Sequence, residues 1–529
     1  MGSSTVDVVV VGAGFSGLYM LHRLRGAGRS AVVLEAGDGV GGTWYWNRYP
    51  GARCDSESWS YSYSFSPELE REWEWTERFP SQPEVLAYLE HVAERFDLYR
   101  DIRLGARVLS ARWESDHWAV HTDHGDWRCQ YLVTAVGCLS ASNVAAIEGL
   151  DSFRGEWQHT GAWPHEGVEL EGRRVGVIGT GSTGIQLVPE IAAGAAHLTV
   201  FQRTANYSVP ARNAPMAPGE MDRIRQRYPA LRRLQRSSAN GHPYLIAERS
   251  TFDVGADERR AMYEAGWERG GLVFRAMFSD MLTRRDANEE ACAFIRDKIR
   301  ETVHDPATAE ALVPTDHPFG AKRPPIDTGY FETYNLDHVR LVDLRKAPIE
   351  RITPDGVLAG GEEHPLDLIV FATGFDALTG PLRRLNLRGE NGATLDDLWA
   401  DGPVTLYGLG VPGFPNLFTI TGPGSPSVLV NMPTGIEQHV DWIADCLDHL
   451  DAHGHTRIDA DPDEAARWRE RTNAAAERTL IPLAESSWYL GANIPGKPRA
   501  VLPYAGGFAA YARICDDVAL QGYPGFAMS

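Results

Sequence analysis

Two runs in the chain carry three glycines at the same spacing, Gly12-Ala13-Gly14-Phe15-Ser16-Gly17 and Gly179-Thr180-Gly181-Ser182-Thr183-Gly184. In such a run the first glycine permits a tight turn, the second lets backbone approach a diphosphate, and the third lets a helix pack closely on the preceding strand. The chemistry served is anion binding at the positive end of a helix. One run alone is weak evidence; two, each set between an apolar strand and a helix, imply two dinucleotide sites. The second strand of each unit ends differently. The strand Ala31-Val32-Val33-Leu34 ends in Glu35, spaced to reach ribose hydroxyls, which favours FAD or NAD and repels a 2′-phosphate. The strand Leu198-Thr199-Val200-Phe201 leads instead to Gln202-Arg203-Thr204. Here a guanidinium fork can pair with a 2′-phosphate and no carboxylate opposes it, so the second site is expected to select NADPH. The plainer account of Arg203 is a solvated cation at a strand end.

The elements that position these runs are legible. Val6 to Val11 is a near-continuous apolar strand, followed after the glycines by a helical run from Leu18 to Arg25; Arg174 to Ile178 and the helix beginning Ile185-Gln186 repeat the unit. Tyr131 to Gly137 and Leu368 to Gly374 are apolar strands ending in a small residue and a glycine, suited to crossings where backbone passes close to a ligand. The fold class is therefore α/β with two Rossmann-like dinucleotide-binding domains. The first is expected over residues 1–141 and 377–529, the second over 142–376. A charged helical insert is expected at about 211–320. Within it Cys292, Ile295, Ile299 and Val303 fall on one helical face, read most simply as core, and Asp305-Pro306 marks the helix end.

A chain of 529 residues is long for one core, and two or more domains around a cleft is the natural expectation. Its 71 acidic and 51 basic side chains leave a formal net charge of -20, which repels phosphate backbones and anionic lipid heads. Nucleic acid and membrane partners are not expected. No stretch approaches the roughly 20 apolar residues of a spanning helix, the start of the chain shows no leader pattern, and the reading is a cytoplasmic protein. The cysteines, at 54, 129, 138, 292, 446 and 515, show no metal-ligand spacing and no C-x-x-C pair. They read as reduced core thiols, and no metal is expected.

The run Phe153-Arg154-Gly155-Glu156-Trp157-Gln158-His159-Thr160-Gly161-Ala162-Trp163-Pro164 matches, at every defining position, the F-x-G-x-x-x-H-x-x-x-W-P pattern of the Baeyer-Villiger monooxygenases, the class B flavoprotein monooxygenases that the chain resembles. Amine- and sulfide-oxidising relatives lack the Trp-Pro ending. The resemblance spans essentially the whole chain, through Gly41 to Asp55, Pro318 to Arg323, Phe371 to Asp376 and Ser487 to Asn493. Pro324-Pro325, directly after Arg323, departs from the family pattern and stiffens that loop.

The resemblance implies FAD and NADPH as cofactors, dioxygen and a bulky, aromatic or cyclic ketone as substrates, and an ester or lactone as product. It implies that Arg323, partnered by Asp55, is the catalytic cation that keeps a flavin-borne peroxide anionic while NADP+ stays bound. Arginine suits this role because it does not give up its proton. Cofactor contacts are expected from Gly12, Gly14, Ser16, Gly17 and Glu35; from Gly42, Thr43, Trp44, Arg53, Asp55 and Tyr61; and from Val108 and Met432. The coenzyme side adds Thr180, Gly181, Ser182, Thr183, Gly184 and Gln186, then Arg203, Thr204, Lys322, Arg323 and Trp488. His159 is expected at a hinge, with no acid-base role. Three rivals stand beside this reading: an amine or sulfide oxygenase, an electron-transfer reductase, and a nucleotide-sensing protein. The first is opposed by Arg323 and Trp163-Pro164. The second is opposed by Thr43-Trp44 standing where a C-x-x-C would be needed.

Overall fold

The structure, a computed structural model, describes residues 4–529, so the reading of the chain's first three residues lies outside the described residues. β1 (Ser4–Val11), α1 (Phe15–Gly26) and β2 (Ala31–Leu34) form the first unit, with β1 and β2 parallel and Val8 opposite Ala31. The second half of β1, Val8 to Val11, is buried on both faces and has no need of polar alternation. Val8 and Val10 join one apolar cluster, beneath α1 and the long helix Met432–Ala452, while Val9 and Val11 join another on the opposite face. The Gly125–Thr134 strand pairs in parallel with the other edge of β1, and Leu417–Thr419 adds to it in turn. An antiparallel meander, Val108–Glu114, His117–Thr122 and Gly125–Thr134, extends this sheet.

β3 (Arg174–Ile178), α2 (Ser182–Gly194) and β4 (His197–Gln202) repeat the unit in a second sheet. All its pairings among the described residues are parallel, in the order Val339–Asp343, β4, β3, Leu368–Phe371 and Glu156–His159. His159 ends the edge strand. Its Nδ1 accepts from Gly161 N at 3.0 Å, its ring meets Phe375 edge-on at 5.9 Å, and burial lowers its pKa, so it sits neutral. Trp163 is packed into the core of this second unit.

Between Val209–Pro210 and Ile326–Asp327, two short strands that pair in parallel, the chain is helical. Cys292, Ile295 and Ile299 are buried on the inner face of Arg285–Thr302 and join the second unit's core. The expectation that Asp305-Pro306 closes this helix needs correction. The helix stops at Thr302, and Asp305 caps the next one, Pro306–Leu312, by accepting from Thr308 N at 2.8 Å. Proline at the first helical position loses no hydrogen bond, and an aspartate before it satisfies a free N–H, so the pair opens a helix. The insert also serves two cores: helix Glu220–Ser237 packs on the first unit through Met221.

The helix is held there by Arg232, which is 7% exposed. Its guanidinium pairs with Glu70 at 2.7 Å and donates to Ser62 Oγ at 2.8 Å and to Tyr63 O at 3.1 Å. Truncating one partner of a buried pair leaves the other charge uncompensated, at roughly 3–5 kcal/mol. Arg232→Ala is therefore expected to lower the thermal midpoint by several degrees. The double replacement Arg232→Met/Glu70→Met should recover part of the loss in calorimetry, and a double variant worse than the single would refute the pairing account.

Candidate active site

Both glycine turns are built alike. Gly12 has φ +105° and a Cβ there would meet Ala135 O at 2.6 Å; Gly179 has φ +113° and a Cβ would meet Ala372 O at 2.4 Å. Only glycine fits either place. A Cβ on Gly17 would meet Gly12 O at 1.8 Å, and one on Gly184 would meet Gly179 O at 2.3 Å. Gly14 and Gly181 are the N-caps of α1 and α2, with no side chain bonded to the free N–H groups of either helix, and a Cβ on Gly181 would stand in open space. Uncapped helix starts lined by glycine are shaped for a diphosphate. Ser16 is buried in α1, and Ser182 and Thr183 open α2.

Glu35 is 5% exposed, and its oxygens accept from Ala13 N and Gly37 N, each at 2.8 Å. Burial raises its pKa and these backbone donors oppose the rise. No cation answers it among the described residues, and each oxygen retains a lone pair for a ribose hydroxyl. Val108 shares the cluster of Val9, Val11 and Leu34 beneath this end of the sheet. Gly42 precedes the short helix Thr43–Trp46, where Trp44 Nε1 donates to Tyr61 OH at 3.3 Å. Phe15 and Tyr61 meet edge to face at 5.2 Å, which makes an aromatic wall.

On that side stands Asp55. Arg323 reaches it from 268 residues away, Nε to Oδ2 at 2.6 Å and Nη2 to Oδ1 at 2.7 Å, while Nη1 donates to Val428 O at 2.8 Å. About a fifth of each side chain is exposed. Burial alone would lift the Asp55 carboxyl, but Arg323 outweighs it and holds the pKa below the ordinary value. Burial likewise works against the guanidinium, and Asp55 reverses this and raises its pKa. The pair is thus ionised and forked. Pro324-Pro325 does not displace it. Both prolines are buried, Pro325 O accepts from Val209 N at 3.1 Å, and the strand Ile326–Asp327 begins at once.

The end of β4 gathers cations. Arg203 is exposed, Thr204 O accepts from Thr180 Oγ1 at 2.8 Å, and Lys322 Nζ donates to Ser486 Oγ at 3.0 Å. Burial, with Arg203 and Arg345 adding, lowers the Lys322 pKa against Asp316. Arg345 escaped the sequence reading. It arrives because Val339–Asp343 pairs with β4 in register, Asp343 opposite Gln202, and its Nε donates to Arg203 O at 3.0 Å. Trp488 is half-buried in the turn beside Ser486, and Met432, also half-buried, starts its helix between two apolar clusters. Two of the expected contact residues also bond within the protein. Arg53 pairs with Glu77 at 3.0 Å, and Gln186 joins the units, accepting from Tyr49 OH at 2.8 Å and donating to Arg53 O at 3.0 Å. His242 and Arg275, near Arg323, also went unread, since neither belongs to a spaced motif. The six cysteines are buried and unpaired, and no group of three or more metal-type ligands occurs among the described residues.

Two glycine-turn units with an acidic and a cationic strand end, joined by an aromatic wall and a forked ion pair, define a two-dinucleotide oxidoreductase of the flavoprotein type. Residues 9–228, which hold both turns, match the model of the pyridine nucleotide-disulphide oxidoreductase family. Over its length the chain is 41% identical to a Baeyer-Villiger monooxygenase of Pseudooceanicola batsensis, covering 98% of this chain and 95% of that protein. The fold matches a steroid monooxygenase solved in its oxidised form with NADP, at TM-score 0.95 and 51% identity over 99% of both chains. It also matches the monooxygenase OTEMO solved with FAD and NADP, at TM-score 0.96 and 40% identity over 100% of both. The chain belongs to the Baeyer-Villiger monooxygenase family.

The strand that anchors Arg323 carries a titration of its own. Asp327 is buried and accepts from Ser208 Oγ at 2.7 Å; burial pushes its carboxyl up to about 6, with Ser208 opposing and Glu332 adding. Between the unfolded value of about 3.9 and that folded value the native state holds the extra proton, so stability falls as pH rises across the interval. Asp327→Asn is expected to raise the thermal midpoint at pH 8 and to lose that gain by pH 4. An equal shift at both pH values would exclude ionisation as the cause.

Proposed function

We propose that the chain is an FAD- and NADPH-dependent Baeyer-Villiger monooxygenase, converting a bulky, aromatic or cyclic ketone with dioxygen into an ester or lactone. One oxygen atom enters the product and the other leaves as water. The observation that carries this is the forked Arg323–Asp55 pair standing between the two nucleotide units. When bound, reduced FAD supplies the electrons that activate dioxygen, and NADPH supplies the hydride that reduces it.

The glycine turn of the first unit, Glu35, Gly42 to Trp44, Asp55, Tyr61, Val108 and Met432 would hold FAD. The turn of the second unit, Gln186, Arg203, Thr204, Lys322 and Trp488 would hold NADPH, with Arg53 acting through its carbonyl bond to Gln186. On this reading residues 1–141 and 377–529 form the FAD domain and 142–376 the NADP domain. Arg323 does the electrostatic part. Of its five N–H hydrogens, three are engaged by Asp55 and Val428 O, which leaves one on each terminal nitrogen for an oxygen that gains negative charge. Asp55 fixes the fork and keeps it protonated, so the cation attracts the anion without neutralising it. His159 remains a neutral, buried hinge residue. Supporting the reading of partners and place, no described helix is long and apolar enough to cross a membrane, and the net charge of -20 disfavours nucleic acid. We assign the protein to the cytoplasm.

If Arg323 stabilises charge as a single oxyanion donor does, its loss costs about 3–4 kcal/mol. Arg323→Ala is expected to retain reduction of FAD by NADPH while ester formation falls by roughly two to three powers of ten, followed by stopped-flow absorbance and product chromatography; wild-type ester yield would refute the role. For the coenzyme, Arg203→Ala or Lys322→Ala should raise the apparent NADPH constant on the order of ten- to a hundredfold and leave NADH nearly untouched. Arg345→Ala should act in the same direction. Equal losses for both coenzymes would contradict recognition of the 2′-phosphate.

A further inference from the structure

The loop at 239–249 turns back over the Arg323 end of the site. Asn431 N donates to Asn240 O at 2.9 Å, and Gly241 leaves no room for a Cβ against Val430 and Asn431. Arg323 grips the same stretch through Val428 O. His242, the next residue of the loop, is 4% exposed, its ring stacks on Tyr244 at 5.4 Å and 19°, and its buried Nδ1 has no hydrogen-bond partner. Arg275, from the turn Leu272–Ala276, has its Nε buried without a partner. No carboxylate lies within 4.0 Å of its guanidinium among the described residues, whereas Arg323 has Asp55. The His242 loop is tied to the Arg275 turn by Ala247 N, which donates to Ala276 O at 2.9 Å, and the groups share one electrostatic neighbourhood: His242 is driven down to about 3 by burial and by Arg323, with Arg275 adding and Asp55 opposing, and is therefore neutral.

An unanswered guanidinium and an unpaired imidazole at one place are costly unless something completes them. Asp55 does not do so: its fork is directed at Arg323, and among the described residues no hydrogen bond or ion pair joins it to Arg275 or His242. The missing partner must carry negative charge for Arg275 and an acceptor for His242, which as a neutral imidazole has one ring N–H to give. A carboxylate meets both needs, and its flat two-oxygen edge suits a guanidinium.

Resting on the Baeyer-Villiger reading, we propose that Arg275 and His242 form a subsite for a carboxylate carried by the ketone, so that the favoured substrates are oxo acids. The apolar surroundings given by Val428 and Met432 then receive the carbon skeleton, and the charged tail lies on the Arg275 side. No proton moves in this recognition. The same pair could otherwise face a phosphate of the coenzyme, and the test separates the two sources.

The probes are 4-(2-oxopropyl)benzoic acid, its methyl ester and phenylacetone, which share one reacting ketone and differ in charge. With the holoenzyme, kcat/KM should favour the acid over the ester. Arg275→Met should lower that ratio roughly ten- to a hundredfold, Arg275→Lys should keep part of it, and His242→Phe should lower it by roughly fivefold. The acid should also raise the thermal midpoint of the wild type and not that of Arg275→Met. A ratio taken within one variant is insensitive to how much of that variant folds. Ester formed from phenylacetone with a ratio unmoved by these replacements overturns the subsite alone, and so does a raised NADPH constant with the ratio unmoved. Absence of oxygenated product from every probe would remove the oxygenation reading and the subsite with it.

Discussion

The ion pair between Arg323 and Asp55 is the constraint around which the remaining site is arranged. Asp55 ends the aromatic loop of the first unit, Arg323 ends the helical insert of the second, and Val428 comes from the returning part of the chain. Three distant stretches thus have to meet within hydrogen-bond distance. As a source of stability such a pair is unimpressive, because desolvation of both ions offsets most of the attraction. Its contribution is direction: a forked contact fixes the plane of the guanidinium, and a bond to Val428 O fixes its rotation.

Much of this is legible in the sequence, for a local reason. A glycine turn between strand and helix is specified within about thirty residues, and its conformational demands fall on the glycines themselves. Gly12 and Gly179 show the same positive φ and the same clash with the neighbouring strand, although 167 residues separate them. Glu35 and Arg203 are readable because they end the second strand of each unit. The edge strand ending in His159 reads from the sequence only as a hinge.

The illegible part depends on pairings that no local pattern encodes. Arg345 meets Arg203 because two strands, 339–343 and 197–202, lie in register, and nothing in the spacing between them announces it. His242 and Arg275 sit in loops whose positions depend on how a helical insert is shared between two cores. Periodicity identifies the buried stripe at Cys292, Ile295 and Ile299, yet it cannot say which core each helix covers. Asp305-Pro306 misleads because helix stops and starts use the same residues, and only the presence of a further apolar turn, Ala309 to Leu312, distinguishes them.

On the proposed assignment of cofactors, the two strand ends also account for one chain holding two similar nucleotide units without exchange of their ligands. Glu35 is buried with no cation to answer it among the described residues, so a phosphate beside it would face an uncompensated negative charge in a medium of low dielectric. Around Arg203 the balance is reversed: Lys322 and Arg345 add positive charge, and Asp316 is partly neutralised by its own pair with Arg345 at 2.8 Å. A dianionic phosphate is therefore attracted at one site and repelled at the other, although the turns that receive the diphosphates are nearly superimposable in design. On the proposed reading, selectivity between cofactors lies with a few side chains one strand away from the glycines, and the turns are free to be alike.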